Sequence, residues 1–247
     1  MIALDSTGFY AARGARGRAG GGLGAERVKR EEPRQKTLLK GMIHRKLMAV
    51  IRTKTPEQAL ASAEALAAGG ITSLEIAFTV PEAAQVIKTL AGRAGLTVGA
   101  GTVLDREHAE VALLAEARFL VCPVGDVSLV PLCQEAGAVS VIGALTPTEI
   151  LAAHRGGADM VKIFPLKALG GSQFLRAVFG VLPPVPMMVG GGVTLENLPD
   201  YLGLPIQVIA LGDSLVVPRL VAQGVYAAIT ARARDFVLLV EKRREKV

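Results

Sequence analysis

The sequence predicts an α/β chain folded as a (β/α)8 TIM barrel. Eight short apolar runs rich in β-branched residues recur along the chain, and an alanine- and leucine-rich stretch of helical spacing follows each one. These strand-then-helix units repeat every roughly 20 to 26 residues over about 205, the compact end of the barrel range. The runner-up, a doubly wound open sheet, calls for a glycine fingerprint in the first strand-to-helix turn. That turn instead reads Ile51-Arg52-Thr53-Lys54-Thr55, so the barrel is preferred.

In order, the expected strands are Leu47 to Arg52, Ser73 to Phe78, Thr97 to Val103, Phe119 to Val124, Val139 to Leu145, Met160 to Pro165, Pro186 to Val193 and Gln207 to Ser214. Helix starts carry cap chemistry: in Thr55-Pro56-Glu57 and Thr146-Pro147-Thr148-Glu149 a hydroxyl precedes a proline whose missing N–H costs nothing in the first turn. Helix ends carry glycine in Ala68-Gly69-Gly70, Glu135-Ala136-Gly137 and Arg155-Gly156-Gly157, where a left-handed residue stops the chain turning.

Composition bounds the function. Of 247 residues, 51% are hydrophobic and 20% charged, which suits a chain with a large core and excludes general disorder. No apolar stretch reaches the roughly 18 residues a membrane helix needs. The net charge is +6, but nine of the 28 Lys/Arg and four of the 22 Asp/Glu fall in residues 1–41, leaving 19 against 18 in the body. The basicity belongs to that first segment, so the body lacks a nucleic-acid footprint. Residues 1–41, with a glycine- and arginine-rich run from Gly14 to Gly24, are expected to be a disordered basic tail or a mis-extended start, with residues 42–247 as a single barrel domain. Cys122 and Cys133 form no C-x-x-C pair, and His44, His108 and His154 lack metal-ligand spacing. No metal, no cofactor and a reducing, cytoplasmic setting are expected.

Two strands contain a charge. In Met160-Val161-Lys162-Ile163, Val161 and Ile163 suit the helix layer, which turns Lys162 into the barrel; in Leu74-Glu75-Ile76, the flanking residues turn Glu75 inward in the same way. A buried ammonium is costly unless paired, and a desolvated lysine that gives up its proton is a nucleophile of the Schiff-base kind. A carboxylate in the same cavity can move protons. The spacing is equally compatible with a buried ion pair that performs no chemistry. Glycine-rich ends of the last two strands, Val189-Gly190-Gly191-Gly192 and Gly212-Asp213-Ser214, suit backbone donors to a phosphate, and Gly99-Ala100-Gly101-Thr102 forms another small-residue rim.

The segments Leu74-Glu75-Ile76, Gly99-Ala100-Gly101-Thr102-Val103, Leu145-Thr146-Pro147-Thr148-Glu149 and Val161-Lys162-Ile163-Phe164-Pro165, with Gly190-Gly191-Gly192 and Gly212-Asp213-Ser214, resemble the bacterial 2-keto-3-deoxy-6-phosphogluconate (KDPG) and 4-hydroxy-2-oxoglutarate aldolases. The resemblance covers about Leu47 to Val240. It implies a class I aldolase: a homotrimeric barrel without metal that acts on a small 2-keto acid and yields pyruvate. It also implies Lys162 as the Schiff-base lysine, Glu75 as general acid/base and Thr102 as the partner of the pyruvate carboxylate. Arg52 would stand near the substrate phosphate, with Gly191, Gly192 and Ser214 as donors to it. The chain departs from the family pattern at Phe78-Thr79-Val80, where an arginine is usual, and at Asp213, where a small residue is usual. The stretch Gly191-Gly192-Val193-Thr194 also looks like the 6-phosphogalactonate branch. A phosphate-binding barrel isomerase or thiamine-phosphate-type transferase, and a catalytically inactive barrel, are the rival readings.

Overall fold

The computed structural model describes residues 34–245. Eight parallel strands, β1 (Leu47–Ile51), β2 (Ser73–Ala77), β3 (Thr97–Gly101), β4 (Phe119–Cys122), β5 (Val139–Ala144), β6 (Met160–Ile163), β7 (Met187–Gly190) and β8 (Val208–Leu211), pair in sequence order, and β8 pairs with β1 to close the barrel. All eight expected runs are strands, and the open-sheet alternative falls with the closure. The outer layer comprises α2 (Pro56–Ala68), α3 (Ala83–Ala91), α4 (Arg106–Leu114), α5 (Val130–Ala136), α6 (Pro147–Arg155), α7 (Ser172–Val181), α8 (Leu198–Leu202), α9 (Pro218–Ala222) and α10 (Tyr226–Arg244). Caps form where the sequence places them. Thr55 Oγ1 accepts from Gln58 N at 3.3 Å, and Thr146 with Glu149 makes a reciprocal capping box.

Strand alternation sorts the side chains into two cores. Leu74, Ile76, Val161 and Ile163 join the large cluster between strands and helices. Met48, Val50, Phe119, Val121, Val139, Val141, Met160, Met188, Val208 and Ala210 fill the lumen. Toward the C-terminal ends of the strands the inward positions change character: Gly99 and Gly101 on β3, Gly143 on β5 and Gly190 on β7 continue the alternation set by their lumen-facing neighbours. The lumen is therefore packed with apolar side chains in its lower part and lined by glycine above, which leaves room there for long polar side chains.

One boundary differs from the sequence expectation. Helix α1 (Arg34–Arg45) begins within the segment read as a tail and belongs to the body. Met42 is buried in the lumen cluster, and Leu38 and Leu39 pack against that cluster from outside the strands. Gln35 Nε2 donates to Ala138 O and to Asp159 Oδ2, both at 2.9 Å, and Arg45 donates to Ser73 Oγ and Thr97 Oγ1. This helix stops the N-terminal end of the barrel: the apolar lumen would otherwise meet water, and burying it outweighs the modest helix propensity of a charged segment. The part of the tail expectation that covers residues 1–33 lies outside the described residues.

Candidate active site

Glu75 sits mid-strand on β2, between Val50 of β1 and Gly99 of β3 in register; Lys162 sits on β6, between Gly143 of β5 and Met188 of β7. Their side chains are 0% and 7% exposed and meet across the lumen, with Lys162 Nζ donating to Glu75 Oε1 at 3.3 Å. The second carboxylate oxygen, Glu75 Oε2, is buried and has no hydrogen-bond partner among the described residues. An unsatisfied buried carboxylate oxygen is costly, so this atom is set to take a hydrogen bond from whatever enters the pocket. The Phe164 ring, 36% exposed, lies with its centroid 5.4 Å from Lys162 Nζ and covers the ammonium on its outward side.

Gly101 exists for this pair. A Cβ built on it would stand 2.1 Å from Glu75 Oε1 and 2.5 Å from Cδ, so only glycine leaves the carboxylate its place. Gly99, one inward position below, would collide with the Phe119 ring at 2.4 Å. The sequence suggested a small-residue rim here, and the structure adds the reason for each glycine. Thr102, the next residue, adopts a left-handed backbone with φ 56°, a conformation that costs a non-glycine residue about 1 kcal/mol and marks a constrained position.

Of the other expected site residues, the structure pairs Arg52 with Thr102: Arg52 Nη2 donates to Thr102 Oγ1 at 3.4 Å. Among the described residues Arg52 makes no hydrogen bond to Gly191, Gly192 or Ser214, and its side chain leans toward Thr102. Gly191 and Gly192 both lie in the left-handed region, φ 85° and 94°, at the end of β7; Asn197 Nδ2 donates to Gly192 O at 2.9 Å and steadies the turn. Ser214 follows β8, and its carbonyl accepts from Arg232 Nε and Nη2 at 3.1 and 2.6 Å. Asp213 beside it is exposed. Among the described residues no group of three or more His, Cys, Asp or Glu side chains converges as metal ligands.

A lysine and a carboxylate paired inside the C-terminal end of a barrel, below glycine-rich turns, define an aldolase type of site, and comparison with known proteins is consistent with that class. The family model described as KDPG and KHG aldolase matches residues 39–232, and the chain belongs to that family. The 2-dehydro-3-deoxy-phosphogluconate aldolase of Treponema pallidum is 32% identical over 206 residues, covering 83% of this chain and 98% of that one. A probable 2-dehydro-3-deoxy-6-phosphogalactonate aldolase of Rhizobium meliloti is 35% identical over 200 residues, covering 79% and 94%. In three dimensions, the KDPG aldolase of Legionella pneumophila, with pyruvate captured as a covalent carbinolamine, superposes with a TM-score of 0.73 at 28% identity and covers 81% of this chain and 96% of its own. The chain is thus an aldolase, a lyase.

Proposed function

We propose that this enzyme cleaves 2-keto-3-deoxy-6-phosphogluconate to pyruvate and glyceraldehyde 3-phosphate through a Schiff base on Lys162. The observation that carries the reading is the buried contact of Lys162 Nζ with Glu75 Oε1. Glu75 takes a proton from the ammonium, and the free amine attacks the C2 ketone of the substrate. Glu75 returns that proton to the carbinolamine hydroxyl, which leaves as water, so that an iminium forms and the carboxylate is restored. Glu75, directly or through one water, then removes the C4 hydroxyl proton as the C3–C4 bond breaks. Its electron pair flows into the iminium to form an enamine, and the aldehyde leaves. Protonation at C3 and hydrolysis release pyruvate and return the amine. Glu75 Oε2, lacking a protein partner, is the atom that meets the hydroxyl or the water.

Thr102 and Arg52 hold the carboxylate of the 2-keto acid, and Arg52 supplies the cation that the Phe78-Thr79-Val80 stretch lacks. Gly191, Gly192 and Ser214 line the phosphate end. Because β3 and β7 lie four strands apart in the barrel, the two ends of the substrate straddle the lumen with C2 above Lys162.

The 35% identity to the Rhizobium meliloti protein favours a second reading, the C4 epimer 2-keto-3-deoxy-6-phosphogalactonate, over the unphosphorylated 4-hydroxy-2-oxoglutarate. Assays with the three substrates side by side rank them. For the chemistry, borohydride in the presence of pyruvate, followed by digestion and mass spectrometry, is expected to place the added mass on Lys162 alone. Label spread over Lys88, Lys167 and other exposed lysines, with Lys162 untouched, overturns the Schiff base.

The enzyme is proposed to act as a homotrimer. Leu104, Val111 and Leu114 on the third barrel unit, Val124 and Val127 on the fourth, and Leu145 on the fifth are all exposed, an apolar load on three consecutive units that suits a subunit contact. Light scattering decides the number of subunits. Two buried free thiols, Cys122 and Cys133, fit a reducing compartment such as the cytoplasm.

A further inference from the structure

Lys167 follows β6 in a short 3-10 turn, Leu166–Leu169, and is fastened to the turn after β7. Its N–H donates to Gly191 O at 2.9 Å, and its side chain lies across Gly192: a Cβ on that glycine would stand 2.4 Å from Lys167 Cβ and 2.8 Å from its Cδ. The stem therefore covers the glycine turn, and the ammonium two bonds beyond Cδ is carried to its rim. That residue is exposed, and its ammonium has no hydrogen bond or ion pair among the described residues. The N–H groups of Gly192 and Ser214 likewise find no acceptor among the described residues.

Strands β6, β7 and β8 are adjacent, so Lys167, the Gly191-Gly192 turn and Ser214 occupy three consecutive loops on one arc of the mouth. Arg52, the other cation expected at a phosphate, is engaged with Thr102. Exposed Asp213 next to Ser214 places a negative charge on the same arc, which an anion there would need offset.

We propose that Lys167 is a substrate-binding, specificity-determining residue, whose ammonium completes an anion site with the N–H groups of Gly192 and Ser214 and the Ser214 hydroxyl, and so selects 2-keto acids that end in a phosphate. This rests on the aldolase reading above. A phosphate dianion gains a charge-assisted hydrogen bond from Lys167 that a terminal hydroxyl does not, and the net charge of the arc becomes favourable despite Asp213.

The test is the ratio of kcat/KM for KDPG to that for 2-keto-3-deoxygluconate, the same skeleton without phosphate. Lys167→Met keeps the stem over Gly192 and removes only the charge. It is expected to lower the ratio about tenfold, equivalent to about 1.4 kcal/mol. Lys167→Arg is expected to restore most of it, and added salt to narrow the difference between wild type and Lys167→Met. Ser214→Ala, run in parallel, reads the phosphate end without Lys167, and borohydride trapping of pyruvate reads Lys162. A ratio lowered by Ser214→Ala and unmoved by Lys167→Met overturns the role of Lys167 and leaves the phosphate end in place. A wild type without preference for the phosphorylated substrate overturns both. A wild type that traps no pyruvate overturns the aldolase reading and Lys167 with it.

Discussion

Lys162 Nζ lies 3.3 Å from Glu75 Oε1, although 87 residues separate them and their strands, β2 and β6, face each other from opposite sides of the barrel. Each side chain spans about half the lumen. Neither strand alone could place the amine beside a base; closure of the sheet does. Because the pair is dry and the lumen beneath it is packed, its geometry is set by the barrel as a whole.

Glu75→Gln preserves shape and hydrogen-bonding capacity while removing the proton acceptor. Turnover is expected to fall by roughly 10²- to 10⁴-fold, the range for loss of a general acid/base. Steady-state kinetics with KDPG measure it, and a kcat near wild type means another group moves the proton.

Gly101→Ala forces a methyl to within 2.1 Å of Glu75 Oε1. The carboxylate has to leave its place, and overpacking of this kind costs about 1 to 3 kcal/mol. Both Tm and kcat are expected to drop together. A variant that loses neither shows that Glu75 has another position of equal energy.

Truncation separates the two parts of the N-terminal segment. Removing residues 1–33 takes away a stretch whose composition predicts no packed core, and Tm is expected to stay within a degree or so of the full chain. Removing residues 1–41 also removes Leu38 and Leu39 from the floor of the lumen and Gln35 from Asp159. A loss of about 2 to 3 kcal/mol is expected, or roughly 5 to 10 °C for a domain of this size. Equal Tm for both truncations removes α1 from the stabilising core.

Lys46, at the join of α1 and β1, gives a pH dependence. Burial pushes its ammonium down to about 8, and the nearby Arg244 guanidinium adds to the shift. The folded state therefore gives up this proton at lower pH than the unfolded chain does. Below about 8 both states are charged and the folded state carries the full penalty. Between about 8 and 10.5 the unfolded chain holds the extra proton, so stability rises with pH. Measured against Lys46→Met, the wild type is expected to gain about 2 kcal/mol over that window, after allowance for its partial exposure. A constant difference from pH 7 to 10 contradicts the assignment.

The strands were legible because a fully buried parallel strand has to be apolar on both faces, and runs such as Val139 to Ala144 have few other uses. Several expected runs continue past the strand ends. Val103, for example, is fully buried beneath the helices without belonging to β3, so burial extends further than pairing. Lys162 and Glu75 were legible for the complementary reason: a charge inside such a run has no cheap place to go. Helix α1 was missed because Arg34–Gly41 is charged. Its apolar positions, Leu38, Leu39, Met42 and Ile43, have helical spacing, but only across the boundary drawn at Met42. The bond between Arg52 and Thr102 and the path of Lys167 over Gly192 depend on which loops meet at the mouth. No local pattern encodes that.

Stopping the barrel with α1 has a practical consequence. Arg244, at the end of α10, donates to His44 O at the end of α1, so the described chain returns to the side on which it began. That side is opposite the mouth that holds the Lys162 and Glu75 pair. A surface anchor or a fused partner attached through the C-terminal end of α10 would leave diffusion of substrate to the mouth unobstructed.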